Sequence, residues 1–170
     1  MKPIDHDKIK QQYLLFADSL KSLLLSTVDE SGSPFISYAP FVKHDGRFYI
    51  YISRIANHFR HLESNPLVDV MLIEDESRTA NLFARQRARF VCKAANVGNE
   101  GHEEIFALFE GRFGGNMIAM LRGLDFSLFE LAAREGRYVA GFGQAYDIDL
   151  AGDTFDHVNR DGHGQTSTKA

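Results

Sequence analysis

The basic side chains of this sequence concentrate in one stretch, which runs from Arg78 to Lys93 and includes Arg85, Arg87 and Arg89. On a β-strand Arg87 and Arg89 point the same way. A planar guanidinium binds phosphate or carboxylate through two parallel hydrogen bonds. The stretch therefore predicts an anion-binding strip, and the alternative is a solvated strand face that pairs with the acidic residues 74–76.

Two histidines, His58 and His61, stand three residues apart in a segment with helical periodicity. Residues at this spacing share one face of a helix. Two imidazoles on one face can hold a metal ion, although the sequence offers no evident third ligand. The alternative is a pair of surface or half-buried histidines without a metal.

The C-terminal residues carry two further histidines, His157 and His163, in the runs Asp-His and Asp-Gly-His-Gly. Glycines on both sides of His163 give its backbone freedom to swing the imidazole towards a target. A neutral imidazole is a good ligand for iron. From composition alone, the alternative is that both histidines are solvated.

Common catalytic motifs are missing from the sequence. It contains no phosphate-binding Walker loop, no Gly-x-Ser-x-Gly elbow and no His-Glu-x-x-His helix. Gly141 and Gly143 match only part of a dinucleotide-binding fingerprint, so we expect them to permit a bend or a close backbone approach.

The composition indicates one globular domain. The chain has 170 residues, is 44% hydrophobic, and carries 19 Lys and Arg against 23 Asp and Glu, which gives a net charge of −4. This balance argues against a nucleic-acid partner bound by bulk charge. The single cysteine, Cys92, excludes an internal disulfide and cysteine-rich metal clusters, and we expect it to be buried and inert.

The first twelve residues, MKPIDHDKIKQQ, are charged and have no apolar core, so they do not resemble a signal peptide. No apolar run approaches the ~20 residues that span a bilayer. We therefore expect a cytoplasmic protein without a membrane partner.

Hydrophobic periodicity predicts the elements that must position these residues. Helices are expected at 4–20, 55–64, 105–113 and 116–121. Strands are expected at 22–29, 35–43, 47–53, 67–73, 87–95, 126–131 and 137–148. The last two strands are separated by a turn at Glu135-Gly136.

The order of these elements predicts an α+β fold. Strands follow one another without regular alternation with helices, which favours a small barrel of about six mainly antiparallel strands with flanking helices. The barrel is expected within residues 1–150. Residues 151–170, which are poor in apolar side chains, are expected to form a flexible tail.

Several runs spread along residues 20–150 resemble the bacterial haem-utilisation proteins of the HugZ/HutZ type. Each run is short, but their order and spacing together are specific. The runs are LSTVDESGSPFISYAPFV, ISRIANHFRHLESNPLVDVMLIEDE, LFARQRARF, DFSLFEL and VAGFGQAYDI.

This resemblance implies a split β-barrel of the pyridoxamine 5'-phosphate oxidase-like, FMN-binding type. It implies a homodimer with its sites at the dimer interface. It also implies that haem b is bound and degraded oxidatively, which opens the porphyrin and releases iron for the cell. Such a reaction requires an electron donor, which the sequence does not identify.

The resemblance also assigns roles to residues. Gly162-His163 matches the family's axial haem-iron ligand, and His157 is the competing ligand six residues upstream. Asp125, from the other protomer, supports that histidine and is the residue assigned to catalysis. Thr27 is expected to hold the interface near Asp125. Arg85 and Arg87 are expected to meet haem propionates or iron-bound oxygen.

Two other functions remain open from the sequence. One is an FMN-dependent oxidoreductase of the pyridoxamine 5'-phosphate oxidase type, since Ser53-Arg54 and the Arg85–Arg87 stretch partly match a flavin phosphate site. The other is a haem storage or delivery protein without turnover, which would share the iron ligand and the dimer.

Overall fold

The computed structural model describes residues 5–158, which form four α-helices and eight β-strands. The helices are α1 (His6–Ser19), α2 (Asn57–Ser64), α3 (Glu103–Phe113) and α4 (Gly115–Arg122). The strands are β1 (Ser22–Val28), β2 (Pro34–His44), β3 (Arg47–Ser53), β4 (Leu67–Ile73), β5 (Arg87–Asn96), β6 (Phe126–Gly141), β7 (Gln144–Ile148) and β8 (Phe155–His157). Two 3₁₀ turns, Glu76–Arg78 and Leu82–Ala84, connect β4 to β5.

Six strands close into an antiparallel barrel in the order β3-β2-β1-β4-β5-β6, and β6 pairs again with β3. β7 and β8 continue the sheet beyond this ring. The length of β6 allows both arrangements, because it pairs with β3 near its start, with β5 along its middle and with β7 near its end. The predicted α+β split barrel is therefore confirmed.

Side chains at alternate strand positions fill the barrel, as the period-two patterns predict. On β5, Ala88, Phe90 and Cys92 are fully buried. The rings of Phe48 and Phe90 pack edge to face, with centroids 5.3 Å apart. Such pairs add about 0.5–1.5 kcal/mol to the stabilisation that area burial alone provides.

α1 packs against the barrel through the stripe that the sequence predicts. Ile9, Tyr13 and Phe16 are buried. The Tyr13 hydroxyl donates to the backbone carbonyls of Asp149 and Leu150 at 3.1 Å, so this buried polar group is paired. The chain after β7 is thereby fastened to the first helix.

A second apolar cluster lies outside the barrel, where α3 and α4 cover the outer face of β3. Tyr49 and Tyr51 on β3 pack there with Phe106, Phe109 and Ile118. Both faces of β3 are therefore covered, as its almost continuous apolar sequence predicts.

The predicted turn at Glu135-Gly136 is wrong, because β6 runs straight through it. Gly136 has a packing role instead, since a β-carbon at this position would lie 2.6 Å from the Phe90 ring. The turn falls further along the chain, before β7, where Gly143 adopts a φ of +66°.

The sheet extends past residue 150, the expected end of the barrel domain. β8 pairs with β7 through Phe155, Asp156 and His157. Residues 159–170, which include His163, lie outside the described part of the chain. Between residues 5 and 158, no helix is both long and apolar enough to cross a membrane.

Candidate functional site

Asp125 lies at one end of the barrel, directly before β6, and is exposed to solvent. The pairing of Ser53 with Phe126 brings the end of β3 beside it. The Ser53 hydroxyl lies 3.2 Å from both carboxylate oxygens of Asp125, and the backbone N–H of Arg54 donates to the Asp125 carbonyl at 2.9 Å. The carboxylate is thus held in place while remaining open to a donor from outside the protomer.

Thr27 is almost fully buried, with 1% of its surface exposed. Its Oγ1 lies 3.0 Å from Nδ1 of His61 on α2. The Phe35 ring packs edge-on against that imidazole, with centroids 5.0 Å apart. Within one protomer, the Thr27 hydroxyl therefore fastens α2 to β1, a contact between distant positions that the sequence does not reveal.

His58 and His61 both attach α2 to the sheet. Nδ1 of His58 lies 2.9 Å from the hydroxyl of Ser37 on β2. Burial, and secondly the neighbouring His61, lower the pKa of His58 below its ordinary value. Among residues 5–158 no three His, Cys, Asp or Glu side chains are grouped to hold a metal ion. The contacts of the two imidazoles with Thr27 and Ser37 support a structural role for the pair.

Asp125 and Thr27 both bind the stretch of chain between residues 53 and 61. Asp125 holds its beginning at Ser53 and Arg54, and Thr27 holds its far end at His61. The path of the chain from β3 into α2 is thus held at residues 53–54 by Asp125 and at His61, within α2, by Thr27.

Arg85 is held by its own neighbourhood. Its Nε donates to the backbone carbonyl of Glu74 at 2.7 Å, and its Nη1 lies 3.9 Å from a carboxylate oxygen of Glu76. Arg85 therefore binds residues 74–76, as in the second of the two interpretations of the basic stretch.

Arg87 lines a cavity of about 470 Å³ on the outer face of the sheet. Its Nη1 donates to the backbone carbonyl of Arg85 at 2.9 Å, and within residues 5–158 it has no carboxylate partner. Met71, Val91 and Val139 supply the apolar part of the lining. The cavity therefore combines an available guanidinium with apolar walls.

Two more arginines of the cavity are neutralised by ion pairs. Arg89 binds Asp69, with its Nε 2.7 Å from the carboxylate, and Arg137 binds Asp147 at 2.6 Å. The sequence reasoning missed Arg137. Arg137 pairs with Arg89 across β5 and β6, which places it at the cavity. The sequence did not predict this pairing, because it placed a turn at Gly136.

Arg87 and Asp125 lie towards opposite ends of the barrel. Arg87 pairs with Val139 at the start of β5, whereas Asn96 pairs with Phe129 at the end of β5, close to Asp125. An extended strand covers about 30 Å between positions 87 and 96. One protomer therefore does not bring Arg87 and Asp125 together.

His157 lies on β8, at the Arg87 end of the barrel. It pairs with Tyr146, which pairs with Tyr138, and Tyr138 pairs with Ala88 beside Arg87. Its Nε2 lies 3.3 Å from the backbone carbonyl of Gly143. The predicted iron ligand, His163, and the adjacent Gly162 lie beyond the described residues.

Comparison with known proteins gives consistent matches. The family model described as pyridoxamine 5'-phosphate oxidase matches residues 9–140. The protein described as heme oxygenase HutZ, from Vibrio cholerae serotype O1, is 40% identical over 155 residues, which cover 89% of this chain and 88% of HutZ.

Two solved structures are similar in both sequence and fold. HutZ from Vibrio cholerae, there described as a heme storage protein, has a TM-score of 0.69 and 40% identity, with 73% of this chain and 89% of the other covered. Campylobacter jejuni ChuZ has a TM-score of 0.80 and 32% identity, with 97% of this chain and 67% of ChuZ covered. From these matches, the chain belongs to the pyridoxamine 5'-phosphate oxidase family and, within it, to the group that contains HutZ.

Proposed function

We propose that this protein binds haem between two copies of the chain and degrades it oxidatively, so that iron is released in the cytoplasm. The observation that carries this assignment is the 40% identity, over most of both chains, to a protein described as a heme oxygenase. Haem is then the substrate, and the second copy is the partner that completes the site.

The chemistry of the cavity fits a haem edge. Haem is planar and apolar, and its two propionates are anionic. Arg87 offers a guanidinium without a carboxylate partner among the described residues, and Met71 and Val91 offer apolar contact beside it. Charge-assisted pairs between arginine and carboxylate are among the stronger hydrogen bonds in proteins.

The distribution of residues supports a site shared by two protomers. His163 is six positions after His157, and a segment of this length reaches at most about 22 Å. Asp125 lies directly before β6 and Tyr138 lies near its end, thirteen positions further along the chain, which is up to about 43 Å for an extended strand. This favours pairing His163 of one protomer with Asp125 of the other.

In the proposed site each protein group has a simple task. When haem is bound, its iron supplies the oxygen chemistry, with electrons from a donor outside this chain. The imidazole of His163 would hold the haem iron. The Asp125 carboxylate, held by Ser53, would accept a hydrogen bond from the other ring nitrogen of that imidazole. This hydrogen bond fixes the tautomer of the imidazole and makes it a more basic ligand for iron. Arg87, with Arg85 behind it, orients a propionate.

Haem titration of the purified protein, followed by reductant in air, tests this function. We expect a Soret band that disappears as iron is released, and no Soret shift on titration of the His163→Ala variant. Asp125→Asn should still bind haem but degrade it about 10–100-fold more slowly, the usual cost of losing a ligand's supporting carboxylate. A His163→Ala variant with a normal spectrum and turnover would contradict the ligand assignment.

Storage is the second candidate, since one HutZ structure is described as that of a heme storage protein. A haem band that persists in air with a competent reductant would favour storage over degradation.

The FMN-dependent alternative is suggested by the family model. A yellow protein as purified, which releases FMN on heating and does not bind haem, would favour it.

A further inference from the structure

Two large apolar side chains beside Asp125 are exposed without a covering element. Ile55 is 84% exposed and Leu124 is 55% exposed. They flank the hydrogen bond from the Arg54 N–H to the Asp125 carbonyl, which joins the chain after β3 to the chain before β6. Contiguous exposed apolar surface with polar groups at its rim is one mark of a ligand-binding site.

Arg54, which precedes Ile55 in the chain, carries a cation without a partner in the described part of the chain. Arg54 is exposed, and within residues 5–158 its guanidinium makes neither an ion pair nor a hydrogen bond. The nearby Arg122 differs, because Glu103 binds it through two hydrogen bonds of 2.9 and 2.7 Å. Arg54 is thus a cation at this end of the barrel that no group among residues 5–158 neutralises.

A buried hydroxyl lies within the electrostatic reach of the same two arginines. Tyr51 is 5% exposed, and its hydroxyl has no hydrogen-bond partner among the described residues. Burial raises the pKa of Tyr51, and the charges of Arg122 and Arg54 act against that rise. This end of the barrel therefore holds a polar group and a cation that have no partner within residues 5–158.

We propose that Arg54 binds a haem propionate beside Asp125, while Ile55 and Leu124 pack against the porphyrin edge. Because haem is taken here as the substrate, this assignment rests on the proposed function. An amphiphilic ligand with carboxylates matches the surface, since it satisfies a free guanidinium and two exposed aliphatic groups together. Arg54 also offsets the repulsion between a propionate and the Asp125 carboxylate.

In this arrangement the two propionates have different anchors. Arg87 of one protomer lies at one barrel end, and Arg54 lies at the other end with Asp125. A haem held between two protomers meets one end of each. Arg54 therefore adds a specificity-determining contact for a dicarboxylate porphyrin.

The experiment compares haem with haem dimethyl ester, in which both propionates are uncharged. Arg54→Gln should weaken haem binding about tenfold, the loss expected for one charge-assisted pair. It should leave binding of the dimethyl ester unchanged. Arg60→Gln is the matched control, because Arg60 is also exposed but is bound to Asn57 at 2.6 Å.

Each outcome decides a separate point. Equal haem affinity of Arg54→Gln and the wild type would overturn the assignment, and so would an equal loss for haem and its ester. Ile55→Ser should weaken both ligands alike, and no loss with either would remove the apolar contact from the site. If the wild type binds neither ligand, the proposed function itself fails. Thermal unfolding of all variants checks that each is folded.

Discussion

His58 is a side chain whose charged form the fold disfavours. Its Nδ1 lies 2.9 Å from the Ser37 hydroxyl, between α2 and β2. Burial lowers its pKa first, and the neighbouring His61 lowers it further. The folded protein therefore keeps a neutral imidazole at pH values where an unfolded chain already binds a proton.

Stability should depend on pH through this histidine. The unfolded chain titrates near the ordinary histidine pKa of about 6.5, and the folded chain titrates below it. In that window the unfolded state binds more protons, so the free energy of unfolding falls as the pH falls. We expect His58→Gln to lose less Tm than the wild type between pH 7.5 and 5.5.

Thermal unfolding by circular dichroism measures this effect, and 1 kcal/mol corresponds to about 2–4 °C in a chain of this size. His102→Gln, which changes a histidine on another element, controls for the loss of one imidazole. Wild-type and His58→Gln curves that run parallel over this range would show that His58 does not titrate differently on folding.

Cys92 shows what strand alternation alone can establish. The alternation of Ala88, Phe90 and Cys92 predicts a thiol inside the barrel, and the structure confirms that Cys92 is fully buried. Burial raises its pKa to about 12. A thiol so seldom ionised is a packing residue, as the sequence predicts.

At the scale of elements, β6 continues through Glu135-Gly136, where the sequence predicts a turn. Glu135-Gly136 has the composition of a turn, and local propensity cannot distinguish a turn glycine from one required by packing. The distinction depends on Phe90, which lies 46 positions earlier on β5 and occupies the space of a side chain at Gly136. A contact this distant in sequence is set by the register of the sheet.

A pair of glycine variants tests this explanation. Gly136→Ala should destabilise the protein by about 1–3 kcal/mol, because the new methyl group overlaps the Phe90 ring. Gly141→Ala is the matched control on the same strand, where the nearest atom is 3.8 Å away on a flexible Gln144 side chain. Denaturant unfolding of both variants measures the difference.

A smaller residue at position 90 should relieve the overlap. We expect the double variant Gly136→Ala, Phe90→Leu to be less destabilised than the sum of its single variants. Equal costs for Gly136→Ala and Gly141→Ala would show that Phe90 does not explain the glycine.

The candidate site was only partly predictable for the same reason. Alternation on β5 directs Arg87 and Arg89 to one face, which the structure confirms, since both line one cavity. Arg137 joins that face through strand pairing, and the contact of Thr27 with His61 joins positions 34 residues apart. Neither follows from local periodicity, whereas the resemblance of whole runs identified the family.

At the scale of the whole molecule, the outer sheet face is suited to a second copy. Tyr38, Leu24, Met71 and Arg89 lie side by side across β2, β1, β4 and β5. Tyr38 is 65% exposed, and Ile36, two positions earlier on β2, is 74% exposed. An apolar sheet face beside ion pairs is typical of an interface between copies.

A two-fold arrangement would also complete the candidate site. The cavity with Arg87 and the exit of the chain after β8 lie at one end of the barrel, and Asp125 lies at the other. In a symmetric dimer the same pair of ends meets twice. Each dimer would then contain two equivalent sites, with Asp125 from one chain and His163 from its partner.

Mixing equal amounts of two impaired variants tests this shared site directly. Asp125→Asn and His163→Ala each damage both sites of their own dimer, but a mixed dimer keeps one site with both native residues. After random exchange half of the dimers are mixed, so the mixture should recover about one quarter of the wild-type haem-degrading activity. Neither variant alone should approach that value.

Adding Ile36→Glu to both chains should abolish the recovery, because it places a charge in the interface. Sedimentation should then give the monomer mass of 19.2 kDa. If the mixture is no more active than its components while mixed dimers are present, Asp125 and His163 act within one protomer.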